Sequence, residues 1–122
     1  MGTDARPSAR VVVERSGALL AVAGVADTPW TRMVGLLAHR ELRPGDGLVL
    51  RPAGMVHTCF MRFAIDIVFA DRDGVIVRLV NALRPFGLAW GGWRAVLTVE
   101  LPAGTLAAAD VVPGDRLRME RV

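Results

Sequence analysis

Residues 57 to 69 read His57-Thr58-Cys59-Phe60-Met61-Arg62-Phe63-Ala64-Ile65-Asp66-Ile67-Val68-Phe69. An imidazole, a hydroxyl, a thiol and a carboxylate stand in a stretch that is otherwise strongly apolar. A segment this apolar must be buried, and buried polar groups need hydrogen-bond partners. His57 and Asp66 therefore belong either to an internal polar network or to a site. A carboxylate beside an imidazole fixes the ring's tautomer and basicity, as a general base or metal ligand requires. The competing reading is a purely structural hydrogen bond, and the lack of an adjacent nucleophile favours it. Cys59 is two residues from His57, so the two share a face in extended chain and a Cys–His pair is geometrically allowed. A small buried hydrophobe is the better reading of that thiol. Thr58 reads as a local hydrogen-bonding residue.

Glu100 sits in the apolar run Val96-Leu97-Thr98-Val99-Glu100-Leu101. With a period of two it shares a face with Thr98 and Val96. It must be either exposed or buried against an arginine, and Arg62 and Arg40 are the candidate partners. The candidate metal ligands are His57, Cys59, Asp66 and Glu100. They form no close-spaced pair of a known ligand type, so neither a metal nor a cofactor is expected. His39 falls at the end of a helical pattern, where it favours the negative helix terminus. Trp90 and Trp93 lie among Gly87, Gly91 and Gly92, with Phe86 close by. Two indoles in a Gly-rich loop either fold back as a lid or line a ligand groove.

These residues need a scaffold, and the composition sets its kind. The chain has 122 residues, of which 52% are hydrophobic, which excludes disorder and fits one domain with its own core. All 15 basic residues are arginine and 12 residues are acidic, interspersed along the chain. No clustered basic face emerges, so nucleic acid is not an expected partner. One cysteine allows no intramolecular disulfide and fits a reducing compartment. Residues 1–10 lack the apolar core of a secretory signal, and no apolar run is long enough to span a bilayer. The expectation is a cytoplasmic protein.

The elements follow from periodicity. Residues 1–8 read as a disordered arm and 9–122 as a single globular domain. Val11–Arg15 and Ala18–Val25 form a hairpin around Ser16-Gly17. Asp27-Thr28-Pro29 starts a helix over about 29–39, whose Trp30, Met33, Val34 and Leu37 repeat on one face. After Pro44-Gly45-Asp46-Gly47 the chain reads as strands: Leu48–Leu50, Ile65–Phe69, Val75–Leu79, Ala95–Leu101 and Arg116–Val122. Asp71-Arg72-Asp73-Gly74 is a hairpin turn. Residues 83–94 read as a loop, Thr105–Asp110 as one helical turn, and Asp115 as a turn residue in Pro113-Gly114-Asp115. The fold class expected is mainly β: a compact sandwich or half-open barrel, with the single α-helix packed against it.

The 57–69 segment, with Gly35-Leu36-Leu37 before it and Glu100-Leu101-Pro102-Ala103-Gly104 after it, resembles the bacterial and archaeal family called domain of unknown function 192. The matching region runs from about Thr28 to the end. The resemblance carries family positions onto His57, Thr58, Met61, Asp66, Phe69, Gly74, Glu100, Gly104, Gly114 and Asp115. Members of this subgroup often have Pro where Ala64 stands, which implies a looser bend here. Some members are exported, and the family implies no established activity. The leading expectation is a small ligand- or partner-binding β domain. Its cleft is floored by the His57–Asp66 segment and edged by Trp90 and Trp93, with His57, Thr58, Met61, Asp66, Trp90, Trp93 and Glu100 as the binding residues. The alternatives are a hydrolase using His57 with Asp66 or Glu100, and a scaffold component. Whether the chain is an enzyme stays open. The partner is a small molecule, protein or peptide, and the chain is a monomer or weak homodimer.

Overall fold

A computed structural model describes residues 8–26, 42–58 and 62–122. The expected helix over 29–39, with Trp30, Met33, Val34 and Leu37, lies outside the described residues, as do Gly35-Leu36-Leu37, His39, Arg40, Cys59 and Met61. Of the expected N-terminal arm, residues 1–7 lie outside them too, and Ser8 opens the first strand.

Nine strands are described: β1 (Ser8–Val13), β2 (Leu19–Ala26), β3 (Asp46–Leu50), β4 (Met55–His57), β5 (Ile65–Ala70), β6 (Ile76–Leu83), β7 (Leu88–Trp90), β8 (Leu97–Pro102) and β9 (Leu117–Arg121). One short helix, α1, spans Thr105–Ala108. Seven strands form a sheet in the order β6-β5-β8-β3-β2-β1-β9, and β4 pairs with β7 in a separate ladder. Within the large sheet β2 and β3 run parallel, and the other neighbours are antiparallel. A parallel pair needs a long crossover, and here it runs from Ala26 to Asp46.

The sheet curls until its two edges touch at one end. The Ile76 N–H donates to the Asp115 carbonyl and the Leu117 N–H to the Gly74 carbonyl, both at 2.8 Å. Val75 and Arg116 form an isolated bridge there. The result is the half-open barrel expected from the spacing of short strands and Gly/Pro turns. The Asp71–Gly74 turn also forms as expected. Gly74 takes φ +82°, and the Asp71 Oδ1 accepts from the Asp73 and Val75 N–H groups at 2.9 Å each.

Alternation sorts the side chains into two layers. The barrel interior holds Val11, Val13, Ala21, Ala23, Val49, Val68, Val99 and Leu101, plugged at one end by Leu106 of α1. On the outer face Ile65, Ile67 and Phe69 pack against Val56 of β4 and Ala89 of β7. β5 is consequently buried at every position. A strand with no solvent face must be apolar throughout, which is why Ile65–Ala70 reads as a nearly unbroken hydrophobic run. Gly91 lets the β4–β7 ladder come down onto the sheet, because a Cβ there would collide with the Phe69 ring and the Ala95 methyl.

The expected loop over 83–94 is corrected. β6 runs through Leu83, and residues 88–90 form β7, paired with β4. Three-residue strands give too short an alternation to register in sequence, and tertiary pairing decides them.

Candidate functional site

β4 and β7 pair Met55 with Trp90, Val56 with Ala89, and His57 with Leu88. Val56 and Ala89 point down into the outer core layer. By alternation Met55, His57, Leu88 and Trp90 point the other way, and all four are exposed. Trp90 is 43% exposed and its ring meets Trp93 edge-on, with centroids 5.2 Å apart and an interplanar angle of 87°. Trp93 is 92% exposed. The indoles are therefore a surface feature and not a lid over the core. On its far side Trp93 walls a hollow of about 430 Å³ with Asp71, Arg72, Asp73, Arg94 and Val96.

A buried threonine fixes the end of this face. Thr58 is fully buried; its hydroxyl donates to the Arg84 carbonyl and accepts from the Gly87 N–H at 2.8 Å. Its own backbone N–H donates to the Gly87 carbonyl, and its carbonyl accepts from the Phe86 N–H, at 3.0 Å each. These bonds hold the turn Arg84-Pro85-Phe86-Gly87, closed by the Gly87 N–H donating to the Arg84 carbonyl at 3.1 Å. Phe86 sits in that turn at φ +60°, where glycine is the usual residue, and it is 80% exposed. A phenylalanine in the left-handed region costs roughly 1–2 kcal/mol. Its ring stays mostly in solvent. Sequence reasoning marked Thr58 but not this tip; the signal available was Pro85 followed by an aromatic and Gly87.

The structure does not bring His57 and Asp66 together. His57 stands exposed on the outer ladder. Asp66 pairs with Leu101, an interior residue, so its side chain faces into the barrel. There it is 1% exposed, and three backbone amides donate to it. Oδ1 accepts from the Ala82 N–H at 2.8 Å; Oδ2 accepts from the Gly104 N–H at 3.1 Å and the Leu106 N–H at 2.9 Å. Asp66 therefore caps α1, whose own N-cap residue Gly104 has no side chain, and pins β6 where Ala82 takes φ +51°. An Asp whose oxygens accept from amides 16, 38 and 40 residues further along the chain leaves no trace in sequence spacing.

Glu100 is the opposite case. It pairs with Ile67 on one side and Leu48 on the other, which puts it on the outer face, 2% exposed. Of the two arginines expected beside it, Arg40 lies outside the described residues and no described ion pair joins Glu100 to Arg62; its Oε1 has no hydrogen-bond partner. Burial pushes its carboxyl up from 4.5 to about 7. Its neighbour on the same face, Thr98, is satisfied: the hydroxyl donates to the Ala53 carbonyl at 2.8 Å. Next to that bond lies a hollow of about 280 Å³, lined by Leu50, Pro52, Ala53, Met55, Val56 and His57 among others.

Asp115 is the turn residue it was expected to be, and more. Arg15 clamps it from Nε at 2.7 Å and Nη2 at 3.0 Å, and the Val112 N–H adds a bond at 2.9 Å. The Arg15 guanidinium and that amide hold its carboxyl below the usual carboxylate range. Arg15 also reaches Asp110 at 3.0 Å, so the cluster ties the β1–β2 turn to the chain before β9. Among the described residues no three His, Cys, Asp or Glu side chains gather closely enough to hold a metal ion.

The half-open barrel carries an exposed aromatic ladder and an unpaired buried acid, and comparison with known proteins gives this arrangement its family. A family model described as uncharacterized ACR, DUF192, matches residues 11–119, so the chain belongs to the domain of unknown function 192 family. A protein from Sinorhizobium meliloti 1021, proposed to be a transcription regulator, has a similar crystal structure. Its TM-score is 0.78 at 25% identity, over 97% of this chain and 98% of that one. A protein of unknown function from Novosphingobium aromaticivorans DSM 12444 superimposes with a TM-score of 0.76 at 17% identity, over 91% of this chain and 83% of that one. The second likeness shows the fold alone. No curated protein matches the chain.

Proposed function

We propose that this protein is a binding domain, and that its contact surface is the outward face of the β4–β7 ladder with the Phe86 turn and Trp93. One observation carries this reading: Phe86 is held at positive φ with its ring in solvent, in the turn that leads into the strand bearing exposed Trp90, which meets exposed Trp93. Large rigid aromatics give contact area at low entropic cost, and contiguous exposed patches of them mark interaction sites. The support beneath is stiff, since Val56, Ala89 and Thr58 are buried and bonded. Met55, His57 and Leu88 complete the face.

The partner that fits best is a protein or peptide segment combining apolar and acidic side chains. Three exposed arginines border the face: Arg84 opens the turn, Arg94 follows Trp93, and Arg78 donates to the Trp90 carbonyl at 2.7 Å. The described ion pairs use other arginines, Arg15 and Arg118. The single cysteine supports a reducing, cytoplasmic setting. No described helix is long and apolar enough to cross a membrane.

The test is selection from a displayed peptide library on the wild type and on a Trp90→Ala/Trp93→Ala double variant. Enriched peptides carrying aromatic or aliphatic residues beside Asp or Glu, lost in the double variant at unchanged melting temperature, support the reading. A collapse in melting temperature shows the indoles to be core. Tight duplex DNA binding that depends on the same two tryptophans, with no peptide enrichment, replaces the reading with a nucleic-acid one.

A further inference from the structure

A buried, unpartnered carboxylate is costly, and nothing in the described fold uses Glu100. Its strand neighbours on the outer face are Ile67 and Leu48, both buried and apolar. The next residue on that face, Thr98, stands opposite Leu50. Leu50 and Ala53 line the 280 Å³ hollow, and its rim carries Met55, Val56 and His57. One strand step of roughly 7 Å therefore separates Glu100 from the hollow's floor. The glutamate arm and a short alkyl chain span that distance together.

We propose that Glu100 is the recognition carboxylate of a small-molecule site on the outer face of β8, entered over Leu50 and Ala53, and that it takes an apolar molecule ending in a primary amine. The hollow's lining supplies the apolar contact. Oε1 is an acceptor with no donor, and an ammonium supplies both charge and N–H groups at one end of a slim body. A neutral alcohol offers a single O–H and no charge, and an anion is repelled by the carboxylate. The acid's elevated titration, near 7, has the same cause, an apolar surround with no compensating charge. This site shares only its rim residues Met55 and His57 with the aromatic face and does not rest on the binding role assigned to it.

The experiment is calorimetry with n-pentylamine, 1-pentanol and pentanoate at pH 8, on the wild type, Glu100→Gln and Leu50→Trp. The expected result is preferential binding of the amine by the wild type and at least tenfold weaker amine binding by Glu100→Gln. Leu50→Trp, which fills the hollow, is expected to abolish binding of amine and alcohol alike. On the wild type, carbon-13 spectra of labelled glutamate carboxyls follow Glu100 directly, so the proposal stays testable if a variant does not fold; its resonance is expected to move as amine is added. The proposal is overturned if no probe binds, if amine and pentanoate bind equally, if Glu100→Gln binds the amine as the wild type does, or if the Glu100 resonance does not respond. The Trp90→Ala/Trp93→Ala variant should keep its amine binding, which separates failure of this site from failure of the aromatic face.

Discussion

Two carboxylates lie one strand apart on opposite faces of the same sheet, and they have opposite fates. Asp66 on β5 points into the barrel and accepts three backbone N–H bonds. Glu100 on β8 points outward, is equally buried, and its Oε1 accepts none. Burial alone therefore does not tell structure from function here; satisfaction does. Asp66 joins the β5–β6 hairpin to α1, some 40 residues further along, so its side chain contributes directly to folding. The described fold gives Glu100 no such work, and its desolvation is a cost unless a ligand supplies the missing donors.

The contrast can be broken from either side. Replacing Asp66 by Ala leaves three amides without their acceptor, each costing about 1–3 kcal/mol if it stays dry. The expected loss is about 4 kcal/mol in urea unfolding, enough to threaten a domain of this size. A loss below about 1 kcal/mol would mean that water replaces the carboxylate and that the capping role is minor.

Glu100 should move stability the other way. Its carboxyl is raised from 4.5 to about 7, so the folded state holds a proton that the unfolded chain has already released. Between those values stability falls as pH rises, and it levels off above about 7. A gap of this size corresponds to roughly 3 kcal/mol. Glu100→Gln should therefore stabilise the protein at pH 8 by up to about that amount and flatten the profile between pH 5 and 7. Unfolding curves that are identical for the two proteins across this range would show that Glu100 is solvated or paired.

Much of this was legible in the chain. The half-open barrel, the first hairpin and the Asp71–Gly74 turn follow from alternation and from turn residues whose chemistry is local. The polar residues that matter were visible as exceptions in an apolar run. Their pairing was not, since it depends on which of two faces a strand presents and on which distant amides arrive there.

Two smaller tests sharpen the outer side of the comparison. Gly91→Ala places a methyl against Phe69 and Ala95, so the β4–β7 ladder must lift. The expected cost is about 2 kcal/mol, with changed fluorescence from Trp90 next door. An unchanged melt would mean that the ladder rides loosely on the sheet. Trp93→Ala should shift stability by less than about 0.5 kcal/mol, since the ring is 92% exposed. A larger loss would make Trp93 a packing residue and weaken the case for a binding face.

The sequence by itself determined the period of the strands, the turns, the burial of residues 65–70 and the family. Those features depend on neighbours a few positions apart, where residue type and backbone preference are enough. Tertiary structure alone decided that Asp66 meets amides and not His57, that the Glu100 Oε1 is buried without a hydrogen-bond donor, and that Trp90 and Trp93 face solvent. In a sheet, a one-residue change of register exchanges the two faces, and only the assembled strands fix which side is which.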